Sequence, residues 1–306
     1  MTRILFLSAC IFYTAANAQE LQLMFARHSK MTRTTNNRIS YATDGKRIFV
    51  RDLTGYQMFS FDTQEWSRLR LPVKLSNEAG PSSAFIPEMN MVITIGSSIE
   101  TIQVDNLQFS HPVKINGIYP SYCGSDVYKG KVYLIGGVQV RPGPSGGMDI
   151  TDNVYSVDPN TLEFKPEFRL PEPNVTKGKF MNGFLYIFGG TDGRDNFSEI
   201  LLFDPDNVQF GWKRIGSLPH PVANYSLATD DKRFYLMGGE NGQGYFGIYD
   251  PATFEYKEYA TNLNITDGGL VVHENKVYFF GGQSMEYPYA LSNLMYVFDL
   301  GLLKGR

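Results

Sequence analysis

The chain has 306 residues, of which 14% are aromatic, 19% are charged and 30 are Gly. Charged residues usually make up about a quarter of a soluble domain, and this surplus of aromatics and Gly excludes a disordered, collagen-like or coiled-coil chain. A net charge of −3 provides no basic field, so neither nucleic acid nor an anionic membrane surface is an expected partner.

Residues 1–18 have the features of a signal peptide. Arg3 supplies the positive start, Ile4 to Ala16 form a short apolar run, and Ala16-Asn17-Ala18 ends it with a small-x-small cleavage site. No later run reaches the roughly 18 apolar residues of a membrane helix, so a secreted protein without membrane insertion is expected. Cleavage removes Cys10 and leaves Cys123 as the single cysteine, which cannot form an internal disulfide and is expected to be buried.

The mature chain opens with Glu20-Leu-Gln-Leu-Met-Phe25, whose polar–apolar alternation is that of a half-buried strand. A repeat follows. Four apolar runs end in a Gly pair: Val132–Gly137, Leu185–Gly190, Phe234–Gly239 and Val277–Gly282. Two degenerate copies precede them, ending at Arg51-Asp52 and Gly96-Ser97. The spacings of 45, 40, 53, 49 and 43 residues describe a repeat of about 46. A second register agrees, since each unit has an apolar triplet closed by Asp: Asp62, Asp105, Asp158, Asp204, Asp250 and Asp299. Asp followed by Pro, as at 159, 205 and 251, is the chemistry of a type I turn between antiparallel strands. An aromatic then opens the last strand of each of the first five units: Trp66, Phe109, Phe164, Trp212 and Tyr256. Each unit therefore reads as four short strands, a to d. In the fourth, a is about 178–182, b 184–190, c 199–204 and d 210–218. The tail after Asp299 is too short for a fourth strand in the sixth unit. Glu20–Phe25 is expected to fill that place beside Asn293–Asp299 and close the ring.

Four strands per unit, the Gly pair after strand b and the later aromatic resemble the kelch repeat, over nearly all of the mature chain. The resemblance implies an all-β, six-bladed kelch-type β-propeller over residues 19–306, closed by the mature N-terminal strand. It implies a binding or interaction module, expected to be a monomer, with a protein or carbohydrate ligand.

The b–c loops and d–a connections of such units share one face, and the long loops (138–153, 191–198, 240–245, 283–293) all belong to it. Functional residues concentrate on loops above a rigid scaffold. The candidate ligand-binding residues are accordingly Arg38, Arg141, Arg194, Glu240, Tyr245, Glu286 and Tyr287. The sequons Asn174, Asn196, Asn224 and Asn264 lie on the same segments and are candidate glycosylation sites, with Asn224, at the start of an inner strand, expected to be too buried for use. No catalytic residue, cofactor or metal site is expected. The copper set of the galactose oxidase relatives would need Tyr-His and Tyr–Cys partners that His28, His111, His220, His273 and the Tyr122-Cys123 pair do not supply. The Glu-x3-Asp-x3-His iron pattern of the plant specifier proteins is also missing. One enzymatic alternative is a metal-independent sugar mutarotase-like activity, with Glu240 or Glu286 as base beside Arg194 or Arg141 at the axial mouth.

Overall fold

The computed structural model describes residues 22–303 apart from 35–38, 53–54, 72–79, 116, 142–146, 241 and 287. The signal-peptide reading and Glu20 thus lie outside the described residues. Among those described, every regular element is a strand or a short 3-10 turn.

Among the described residues, six larger sheets follow one another along the chain, each built on an antiparallel meander. The first contains Ser40–Thr43, Arg47–Arg51, Tyr56–Ser60 and Glu65–Leu69. The second contains Ser82–Ile86, Met91–Ile95, Ser98–Gln103 and Gln108–Phe109. The third contains Gly124–Tyr128, Lys131–Ile135, Asn153–Val157 and Phe164–Arg169. The fourth, with Gly178–Met181, Phe184–Thr191, Asn196–Phe203 and Lys213–Val222, follows the sequence reading closely, its last strand starting three residues late. The fifth contains Ser226–Thr229, Phe234–Glu240, Gln243–Asp250 and Glu255–Thr261, and the sixth Gly269–His273, Lys276–Phe280 and Leu294–Asp299. The Asp turns form as their chemistry dictates. Oδ1 of Asp158, Asp204, Asp250 and Asp299 each accepts the backbone N–H two residues on, at 2.7–3.0 Å.

The b strands are buried on both faces, and the core is divided between neighbouring sheets. Phe49 and Tyr56 pack on Val92 and Ile102; Ile93 on Leu134 and Val157; Ile135 and Val154 on Leu185 and Ile187. Phe188 packs with Phe234 and Tyr249, Phe246 with Val277 and Phe279, and Phe280 with Ile48 and Phe59. The last of these joins the sixth sheet to the first. The strand-d aromatics serve these seams: Phe109, Phe164, Trp212, Tyr256 and Trp66 each pack at the junction with the preceding sheet. Trp212 also donates its indole N–H to Arg169 O across that junction, at 2.8 Å. This all-β arrangement is consistent with a kelch β-propeller.

The partner of Leu294–Asp299 differs from the expected one. The pairing strand is Ala26–Lys30, antiparallel, whereas Gln22–Leu23 runs parallel to Ala260–Thr261 on the fifth sheet. The two pieces are separated by Met24-Phe25, and Phe25 is buried between the fifth and sixth sheets against Phe246 and Phe298, at ring separations of 5.6 and 5.3 Å. The alternation at 20–25 thus marks a segment whose Leu23 and Phe25 enter a seam. The polar run Ala26-Arg-His-Ser-Lys30 pairs because an outer strand needs little apolar surface.

Candidate functional site

Each Gly pair lies where a d–a connection crosses the end of a b strand. A Cβ on Gly137 would come within 2.5 Å of Ser121 O, and one on Gly282 within 2.5 Å of Thr266 O. Both glycines have φ near +80 to +90°, which other residues adopt only with strain. The crossing puts b–c loops and d–a connections at one end of the molecule and joins them. Connection residues Tyr119–Ser121 pair with Val138–Val140, Ile265–Thr266 with Gln283–Ser284, and Val175 bridges to Thr191.

The expected ligand residues are dispersed over this end. Arg141 is exposed and ion-paired with Asp149 within a hairpin whose strands, Val138–Val140 and Met148–Ile150, make a three-stranded sheet with Tyr119–Ser121. Arg194 is exposed in a tight turn held by Asp192. The Asp192 Oδ1 accepts the N–H groups of Arg194 and Asp195, both at 2.7 Å, and these donors hold the Asp192 carboxyl below its usual pKa. That turn leans on the three-stranded sheet, because a Cβ on Gly193 would stand 2.9 Å from Ile150 Cδ1. Glu286 is exposed on the loop after Ser284. Glu240 ends a strand, and Arg38 and Tyr287 lie outside the described residues.

Tyr245 corrects the loop reading of 240–245. It lies inside strand Gln243–Asp250, opposite Gly238, only 6% exposed and edge-on to His220 at 5.2 Å. The strand extends because Gly238 and Gly244 leave room for the tyrosine ring and the Leu263 backbone. The sequons also divide otherwise than expected. Asn196 and Asn224 are exposed, whereas Asn174 is buried with its amide donating to Gly189 O at 3.0 Å, and both polar side-chain atoms of Asn264 are buried. Asn174 and Asn264 are the residues that cross the Gly pairs, a tertiary fact with no local signal.

The first strands of the six sheets surround a cavity of about 240 Å³. Being edge strands, they leave backbone groups unpaired, and side chains connect them. Ser40 bonds Ser83 at 2.6 Å, Ser125 donates to Ser83 O at 2.9 Å, and Lys179 donates to Asp126 Oδ1 at 3.0 Å. Tyr225 donates to Lys177 O at 3.1 Å, Ser226 to Gly268 O at 2.7 Å, and Tyr41 to Leu270 O at 2.9 Å. Each bond joins one sheet to the next, and the last joins the first sheet to the sixth.

Asp126 and Lys179 are the charged members of this belt. Both stand opposite the tyrosine of the neighbouring b strand, and the aligned positions of other sheets hold Ala84, Ala228 and Val271. That contrast is the signal by which sequence reading, directed at loops, would have found them. Burial alone would lower the Lys179 pKa, but the Asp126 carboxylate and Tyr41 outweigh it and hold the ammonium above its usual value. Burial raises the Tyr41 phenol.

Among the described residues, no three His, Cys, Asp or Glu side chains gather as a metal would require, and no helix is long and apolar enough to cross a membrane. Cys123 is buried beside the cavity.

No family model matches the chain. It is 21% identical over 199 residues to beta-scruin of Limulus polyphemus, covering 61% of this chain and 22% of that protein. It is 25% identical over 176 residues to a kelch repeat and BTB domain-containing protein of vaccinia virus, covering 54% and 30%. A kelch domain-containing protein of Pyrococcus furiosus is 32% identical over 130 residues, covering 40% and 35%. The matches thus span between about a fifth and about a third of these relatives' own lengths.

Proposed function

Because this chain is a kelch-repeat protein, we propose that it is a secreted interaction module, a six-bladed ring closed by its N-terminal strands, which binds a protein partner on the face where the b–c loops and d–a connections meet. The six sheets are the blades in this reading, and the residues after the signal peptide form one domain. The observation that carries it is the three-stranded sheet raised on that face. Met148 on its hairpin is 70% exposed and Ile118, on the adjoining connection, 56%. Around them stand Arg141, Asp149 and Arg194. Large exposed apolar side chains rimmed by charge are the composition of a protein-binding patch, with Met supplying an adaptable contact.

The test compares the mature protein with a Met148→Asp, Ile118→Asp double variant and with Phe254→Asp, which alters an exposed turn remote from the loop face. A partner recovered by cross-linking from the extracellular fluid of the source should be retained by Phe254→Asp and lost by the double variant. Retention by the double variant would contradict this placement of the interface.

A further inference from the structure

We propose that the cavity between the six first strands is a binding site for a small neutral polyol, held through two adjacent hydroxyls by Asp126 and Lys179. The volume of about 240 Å³ lies below the roughly 300–1,000 Å³ of pockets for drug-sized ligands, so the occupant is the size of a single sugar ring or smaller.

Most polar groups around the cavity are committed to joining strands, and the ion pair retains capacity. An ammonium has three donors, and Lys179 uses two, on Asp126 Oδ1 at 3.0 Å and Ser125 O at 3.2 Å. Asp126 accepts Lys179 at Oδ1 and the Phe180 N–H at Oδ2, at 2.7 Å, leaving a further lone pair on each oxygen. Both residues line the cavity, and the Lys179 and Asp126 side chains remain 28% and 21% exposed. A donor and an acceptor therefore stand side by side at the wall.

The pair carries no net charge, so a free anion or cation attracted by one member is repelled by the other. A vicinal diol suits both, one hydroxyl accepting from Lys179 Nζ and its neighbour donating to Asp126. Ala42, Ala84 and Val271, also lining the cavity, offer apolar surface to the C–H faces of such a ligand.

The test is calorimetric titration of the intact mature protein with myo-inositol and D-glucose, and in parallel with acetate and tetramethylammonium. Saturable binding of at least one polyol is expected, with affinity reduced tenfold or more in a Lys179→Met, Asp126→Asn double variant. The asparagine keeps an acceptor for the Phe180 N–H, and unchanged circular dichroism establishes that this variant folds. The Met148→Asp, Ile118→Asp variant should bind the polyol as the wild type does, which separates this site from the loop-face interface. Saturable binding of the ions alone, binding of none of the four probes, or polyol affinity unchanged by removing the pair would each overturn the proposal.

Discussion

The Arg51 guanidinium, at the end of a strand in the first sheet, donates to both carboxylate oxygens of Glu100 in the second, at 3.1 and 3.3 Å. Both side chains are almost wholly buried, at 2% and 3% exposure, and Tyr56 donates to Glu100 Oε2 at 2.8 Å. Arg51 stands where all five later repeats have Gly (Gly96, Gly136, Gly189, Gly238 and Gly281), so the departure from the repeat is a cross-seam ion pair. Removing one partner leaves a buried charge unmatched, at a cost of about 3–5 kcal/mol. Glu100→Ala should therefore lower stability by about that much in chemical denaturation. An Arg51→Met, Glu100→Leu double replacement should cost much less than the sum of the single changes, since apolar pairs of similar volume often substitute for buried ion pairs.

The Gly pairs make a prediction that separates close approach from backbone preference. Gly137→Ala adds a methyl 2.5 Å from Ser121 O at φ 88°, whereas Gly130→Ala faces open space at φ 72°. The turn substitution should cost about 1–2 kcal/mol, the left-handed backbone penalty alone. Gly137→Ala should cost clearly more and shift amide signals of the Ser121–Cys123 segment. Equal costs would show that the connection yields freely.

Phe25 tests how firmly the N-terminal segment is seated. It is 2% exposed in the seam with Phe246 and Phe298, so Phe25→Ala should cost about 3–5 kcal/mol. The exposed neighbour Met24→Ala should lie within about 0.5 kcal/mol of the wild type. Thermal melts of the two variants check the contrast.

Alkaline stability follows from the buried tyrosines. Burial pushes Tyr225 up to about 12, and Tyr133 and Tyr249 likewise, against 10 for a free phenol. Between those values the unfolded chain loses the protons that the folded chain keeps, so their stabilising effect is complete below pH 10 and is lost as pH rises toward 12. Denaturation midpoints should hold up to about pH 10 and then fall, and Tyr225→Phe should flatten part of that fall.

Glycan occupancy provides a further check. Expressed through a eukaryotic secretory pathway, the protein should carry glycans at Asn196 and Asn224 and not at Asn174 or Asn264, as peptide mass mapping would report. Full occupancy at Asn174 would require its connection to leave Gly189.

Features that depend on local chemistry were legible in the sequence. Asp158 and Asp250 announce their turns through side chains that reach only two residues on, and the runs ending at Gly190 and Gly239 announce buried strands. Features that depend on distant partners were not. Arg51 finds Glu100 49 residues away, Tyr245 is buried because Gly238 lies opposite, and Asn174 is buried because the Gly pairs admit its connection. Attention to loops likewise passed over Asp126 and Lys179, whose meeting depends on two neighbouring sheets placing their first strands side by side.

The proposed closure of the ring is tested most directly by a cysteine pair at Ala26 and Val297, which face each other in the register of the sixth sheet. Antiparallel partners lie about 4.5–5.5 Å apart at Cα, within the range a disulfide spans. Mild oxidation of the Ala26→Cys, Val297→Cys variant should give a near-complete intramolecular disulfide in the folded monomer, identified by peptide mass mapping, and a raised melting temperature. A folded monomer in which these cysteines stay reduced, or a more complete disulfide in a Gln22→Cys, Val297→Cys variant, would contradict closure of the ring by Ala26–Lys30.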